Sequence, residues 1–164
     1  MLELIDTLLR LLQASALGQT VRSAPYVYPV LEALHILGIG LLIGPAFTFD
    51  IRLTGIGHRL LSVTSAARTL LPVSHLGFAI AMITGLALLS AQATMVAAAG
   101  AAPWKLGLLV LACLNVLVFH RGIYRRVTDW DTDPSPPAAA RLAAVVSLIA
   151  WTGMIFAGRF LAYS

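Results

Sequence analysis

Polar positions in this chain are few, and they are spaced. Within residues 2–17, LELIDTLLRLLQASAL, Glu3, Asp6, Arg10 and Gln13 follow one another at intervals of three, four and three. That spacing gathers them on one stripe of a helix and leaves the leucines elsewhere, which predicts an amphipathic helix lying in a membrane interface. From residue 26 onward the stripe gives way to long apolar runs, roughly 26–49, 70–97, 102–122 and 138–160. Each is long enough to cross the ~30 Å hydrocarbon core of a bilayer. Between the last two runs, DWDTDPSPP carries the prolines and acids of an exposed loop. The pattern predicts an all-α protein: one membrane domain over 1–164, a four-helix transmembrane bundle preceded by an interfacial helix.

Composition narrows the class. Hydrophobic residues make up 59% of the 164 positions and charged residues 11%, and the mean hydropathy is +0.89. A soluble domain carries roughly 25% charge, so this chain cannot clothe a soluble globule. A cytosolic enzyme, a nucleic-acid module and a disordered segment are thereby excluded. Eleven Lys and Arg against seven Asp and Glu give a net charge of +4. The basic residues sit at helix ends and in loops, where they set topology, and no nucleic-acid partner is expected. Arg52, Arg59, Arg68, Arg121, Arg125, Arg126 and Arg141 fall on one side of the bilayer, against Arg10, Arg22, Lys105 and Arg159 on the other. The richer side is expected to be cytoplasmic. Both termini are then expected on the opposite, outer side. Glu3, Asp6 and Arg10 interrupt any apolar signal-peptide core at the N-terminus.

Ionisable groups inside a membrane are costly and are functional candidates by default. Here they are Glu32, His35, Asp50, His75, Lys105, His120 and Arg159. At 1.5 Å per residue, His75 lies ~10 Å and His120 ~12 Å from the middle of their spans, toward the same side. Antiparallel helices therefore bring the two imidazoles to one level. Two histidines at matched depth on different helices of a bundle are what a bis-histidine haem b requires, an arrangement suited to electron transfer. Gly77, Ala79 and Gly85 would make room for the macrocycle, and Arg68 and Arg121 would pair with its propionates. Trp104 reads as an interfacial aromatic and Trp151 as a core aromatic that could also pack on the porphyrin. The alternative is that His75 and His120 are interfacial histidines at helix ends. The absence of a CxxCH motif excludes covalent c-type attachment.

His35 lies near mid-membrane. Glu32, three residues earlier on the same face, would hold its imidazole; a hydrogen bond to Asn115 is the other expectation. Met82 and Met154 near its depth would allow a second, His–Met haem. A single EALH falls short of a di-iron site, which needs two Glu-x-x-His motifs and two further carboxylates. Lys105 and Arg159 read as snorkelling side chains, Asp50 and Arg52 as an ion pair, and Cys113 as a small apolar filler. One cysteine forms no internal disulfide, and copper is not signalled because no CxxC or MxxxM cluster occurs. HILGIGLLIG at 35–44 and HLGFAIAMITG at 75–85 echo one another; glycines that let membrane helices approach closely account for the echo equally well.

The succession YPVLEALHILGIGLLIGPAFTFDIRLTG, GFAIAMITGLALL, PWKLGLLVLACLNVLVFH and SLIAWTGMIFAGR resembles a bacterial four-helix membrane family of unknown function, over about 26–160. More distantly, the layout is similar to HemJ-type membrane protoporphyrinogen oxidases and to copper-resistance D membrane domains. The HemJ resemblance implies haem b and a functional His–Lys pair, which would fall on His35 and Lys105. Three readings follow: a b-type cytochrome passing electrons between quinol or a redox partner protein and an acceptor, a porphyrin-oxidising enzyme, and a non-catalytic anchor subunit. The first is preferred, with His75, His120 and, for a second haem, His35 as metal ligands. The lipid bilayer is the constant partner, and homo-oligomerisation is left open.

Overall fold

A computed structural model describes residues 2–160, and its elements are helical. In chain order they are α1 (Leu2–Ala14), α2 (Ala16–Ser23), α3 (Val27–Leu53), α4 (Val63–Ala91), α5 (Ala93–Ala98) and α6 (Ala102–Arg121). A 3-10 turn (Ile123–Asp129) and α7 (Ala138–Phe160) complete the chain. Among the described residues, α3, α4, α6 and α7 are the helices long and apolar enough to cross a membrane. The expected all-α four-helix bundle is what the chain forms, and four such helices make a multi-pass membrane protein.

The element boundaries differ from the apolar pattern in three places. The expected interfacial helix is two helices, broken at Ser15, whose hydroxyl accepts from the Gly18 amide at 3.2 Å and so caps α2. The first span runs on through Leu53, which takes Asp50 and Arg52 inside the helix. The second starts at Val63 and stops at Ala91, with Ala93–Ala98 forming a separate short helix. Polar Thr64, Ser65 and Arg68 hid that first turn from a hydropathy reading.

Packing follows small residues. α3 and α4 make the closest pair in the bundle. Gly38 and Gly77 face each other there: a Cβ on Gly38 would stand 2.8 Å from the Ala81 amide nitrogen, and one on Gly77 would collide with the backbone of Leu41 and Leu42. The Ser74 hydroxyl donates to the Leu42 carbonyl across the same seam at 2.9 Å. α3 also packs on α7, and α7 on α6, whereas α4 and α6 bring no Cα pair within 8 Å. Three seams of the bundle are thus closed and the α4–α6 seam is open.

One end of the bundle is locked by its loops. Arg52, 3% exposed, donates from Nε to the Leu61 carbonyl at 2.6 Å and from Nη2 to the Asp131 carbonyl at 3.0 Å. The Asp131 carboxylate accepts from the Thr64 amide at 2.7 Å and its hydroxyl at 2.8 Å, closing the N-terminus of α4. Gly55, at φ +101°, lets the turn pass against the Pro134 carbonyl where a side chain would collide. Beneath these loops Phe49, Leu53, Val63, Ala66, Phe119 and Trp130 form one buried cluster.

Candidate functional site

A cavity of about 270 Å3 lies between the four long helices, above that cluster and beside the open seam. Each helix supplies part of its wall: Leu42, Phe49 and Asp50 from α3, Ser74, His75 and Phe78 from α4, Cys113, Asn115 and His120 from α6, and Ser147 and Trp151 from α7. His75 and His120 therefore line one cavity, from the two helices that stand apart. His120 is ordered from both sides. Its Nδ1 lies 2.9 Å from the Val116 carbonyl one turn back, which fits an Nδ1–H tautomer that leaves Nε2 with its lone pair. The ring packs between Phe119 and Tyr124, with centroids 5.2 Å and 5.1 Å away. His75, on the exposed flank of α4, has no hydrogen-bond partner among the described residues.

The sequence did not single out Asp50 for this site. It is 6% exposed, lies on the cavity wall and takes a hydrogen bond from the Ser147 hydroxyl, while its Oδ2 has no partner among the described residues. The expected Asp50–Arg52 ion pair does not form, because residues two apart on a helix point in nearly opposite directions. Arg52 turns outward to the loops and Asp50 inward to the cavity. A signal was present in principle: an acid followed two residues later by a base cannot share a helix face.

Other expected residues fall elsewhere. Gly77, Ala79 and Gly85 do not line the cavity: Gly77 is taken up by the α3–α4 approach, Ala79 is exposed, and Gly85 faces the His35 ring, from which an added Cβ would stand 3.0 Å. Trp151 does line it and is 6% exposed, and Trp104 is 73% exposed at the start of α6. Cys113 is an exposed thiol on the cavity wall rather than a buried filler. Arg68 and Arg121 are exposed and off the wall. Arg68 is close enough for its charge to be felt by the Tyr124 hydroxyl. Burial, then the Asp131 charge, raise the Tyr124 hydroxyl above the ordinary phenol value, and Arg68 opposes them.

His35 is bound within the α3–α4 pair. Its Nδ1 lies 2.9 Å from the Ala81 carbonyl and 3.1 Å from the Thr84 hydroxyl. Glu32 is exposed and does not hold the ring, and Asn115 donates instead to the Ala143 carbonyl at 2.8 Å. Lys105 is near enough for its charge to reach His35, and its ammonium lies beside Gly158. Neither His35 nor Lys105 lines the cavity. Among the described residues no group of three or more His, Cys, Asp or Glu gathers as a metal site.

The cavity is thus an apolar chamber whose wall carries two imidazoles from the two helices that stand apart, a thiol, and a buried carboxyl oxygen unpartnered among the described residues. Compared with models of protein families, with curated proteins and with solved structures, the chain matches none.

Proposed function

We propose that this chain is a b-type cytochrome of a bacterial inner membrane, with His75 and His120 as the axial ligands of one haem b. The observation that carries the reading is that both imidazoles line one cavity shared by the four long helices. The residues fit the group. Helices α4 and α6 stand apart, as a flat macrocycle between two ligands needs, and the seam lets its edge extend sideways beyond the enclosed volume. Val116 fixes the His120 tautomer that presents Nε2. Phe78 and Trp151 supply apolar surface, and Arg68, whose charge reaches the Tyr124 that packs on His120, would pair with a propionate. Haem held by two imidazoles supplies one-electron transfer with no open coordination position. The chain carries electrons between a quinol or a redox partner protein and an acceptor, and its arginine-rich end faces the cytoplasm.

The test is the reduced-minus-oxidised spectrum of protein purified from haem-replete cells. Sharp α and Soret bands are expected, and His75→Ala or His120→Ala should each abolish the six-coordinate signature. A colourless preparation overturns the reading.

A second reading, a porphyrin-oxidising enzyme using His35 and Lys105, draws on the proximity of Lys105 to His35. It requires Lys105→Ala to abolish oxidation of the porphyrinogen while leaving any haem spectrum of His75 and His120 intact. Failure to complement a strain lacking protoporphyrinogen oxidase counts against it.

A further inference from the structure

The end of the bundle remote from the Arg52–Asp131 lock carries a second concavity, of about 280 Å3. It is lined by Arg10, Gln13 and Ala14 of α1, Arg22 of α2 and Thr94 of α5. Its frame is tied together. Gln13 Oε1 accepts from the Thr94 amide at 3.1 Å and the Thr94 hydroxyl at 2.9 Å. Arg22 donates from Nη1 to the Ala91 carbonyl at 3.3 Å and from Nη2 to the Gln13 carbonyl at 3.4 Å. Gly18 of α2 sits where a Cβ would stand 2.6 Å from the Ser90 carbonyl of α4, so α2 lies directly on the bundle.

Donors remain unused within this frame. Gln13 Nε2 has no partner among the described residues. Arg10 gives only its Nε, to Asp6 Oδ2 at 2.8 Å, which leaves both terminal nitrogens. Two guanidiniums and an amide NH2 line it, and among the described residues no carboxylate does. That donor set suits a phosphate, since planar guanidinium forks match its oxygens.

The position of α1 selects the source. Leu4, Ile5, Leu8, Leu11 and Leu12 are exposed on the face opposite the polar stripe, the face an interfacial helix sinks into acyl chains. The concavity on the polar side then sits at headgroup level. We propose that it binds the phosphate of an anionic phospholipid headgroup through Arg10, Arg22 and Gln13. Two guanidiniums against one flanking carboxylate, Asp6, leave a net positive site, which favours an anionic headgroup over a zwitterionic one.

The test uses the full chain in neutral detergent, titrated with dihexanoyl phosphatidylglycerol, dihexanoyl phosphatidylcholine or inorganic phosphate, with binding read by native mass spectrometry. Phosphatidylglycerol is expected to bind saturably and more tightly than either other probe. Arg10→Gln should weaken it about fivefold, and Asp6→Asn, which removes the negative charge beside Arg10, should tighten it by a similar factor. Both substitutions fall on the exposed face of α1 and spare the bonds that hold the frame. Arg125→Gln, at the opposite end of the bundle, should change nothing. Equal binding of the two lipids, no response to Arg10→Gln and Asp6→Asn, or an equal loss in Arg125→Gln overturns the proposal. Inorganic phosphate binding as tightly as phosphatidylglycerol overturns the lipid as its source.

Discussion

At the scale of single residues, the cavity is defined by side chains whose roles differ from their neighbours' in sequence. Asp50 and Arg52 are two positions apart, yet one faces the cavity with an unpartnered oxygen and the other secures two loops. A buried carboxylate lacking a counter-ion costs several kcal/mol of desolvation. Asp50→Asn keeps an oxygen for the Ser147 hydroxyl and removes the charge. It is therefore expected to raise the melting temperature in detergent at pH 8 by a few degrees; a fall would show that the carboxylate has a partner. Cys113 offers a direct probe of occupancy, because it is the sole cysteine, exposed, and on the cavity wall. A lipid-permeant maleimide should alkylate it readily in haem-free protein and at least tenfold more slowly after haem loading. Equal rates would place the haem elsewhere.

At the scale of elements, two devices hold the long helices in place. The first is the approach of α3 to α4 at Gly38 and Gly77. Gly77→Val must push the backbones apart and is expected to cost about 1–3 kcal/mol, read as a lower unfolding midpoint in a mixed-micelle titration. The second is Asp131 at the start of α4. Burial alone would raise its carboxyl, but the Thr64 amide and hydroxyl, Ser62 and the Arg52 charge outweigh that and hold it below the ordinary aspartate value. Because the folded value is depressed, Asp131 contributes stability above the unfolded-state value, and that contribution is lost as pH falls through the folded one. The wild-type protein should lose stability below about pH 4, and Asp131→Asn should remove that component of the loss; superimposable pH–stability curves would sink the assignment. Much of this level was legible in the sequence. All four spans were visible as apolar runs, whereas the true start of α4 was not, since its first turn is polar and finds its partner in a loop some 67 positions later.

At the scale of the whole molecule, low charge and long apolar runs suffice to determine a four-helix membrane protein, because a bilayer accepts only segments that satisfy their own backbone. Residue spacing along antiparallel helices likewise led to the expectation that His75 and His120 share one depth, since helical rise is fixed, and the two residues line one cavity. Which helices become neighbours is another matter. Apolar runs do not encode their partners when every face can rest against lipid as well as against protein. Only the tertiary structure decided that α4 and α6 stand apart, that Gly77 joins the α3–α4 seam instead of opening the cavity, and that His35 is bound by Ala81 and Thr84 rather than by Glu32. The sequence determined the order of each group along its helix because that order is one-dimensional. Direction around the bundle depends on close packing between helices, and that was settled only by the fold.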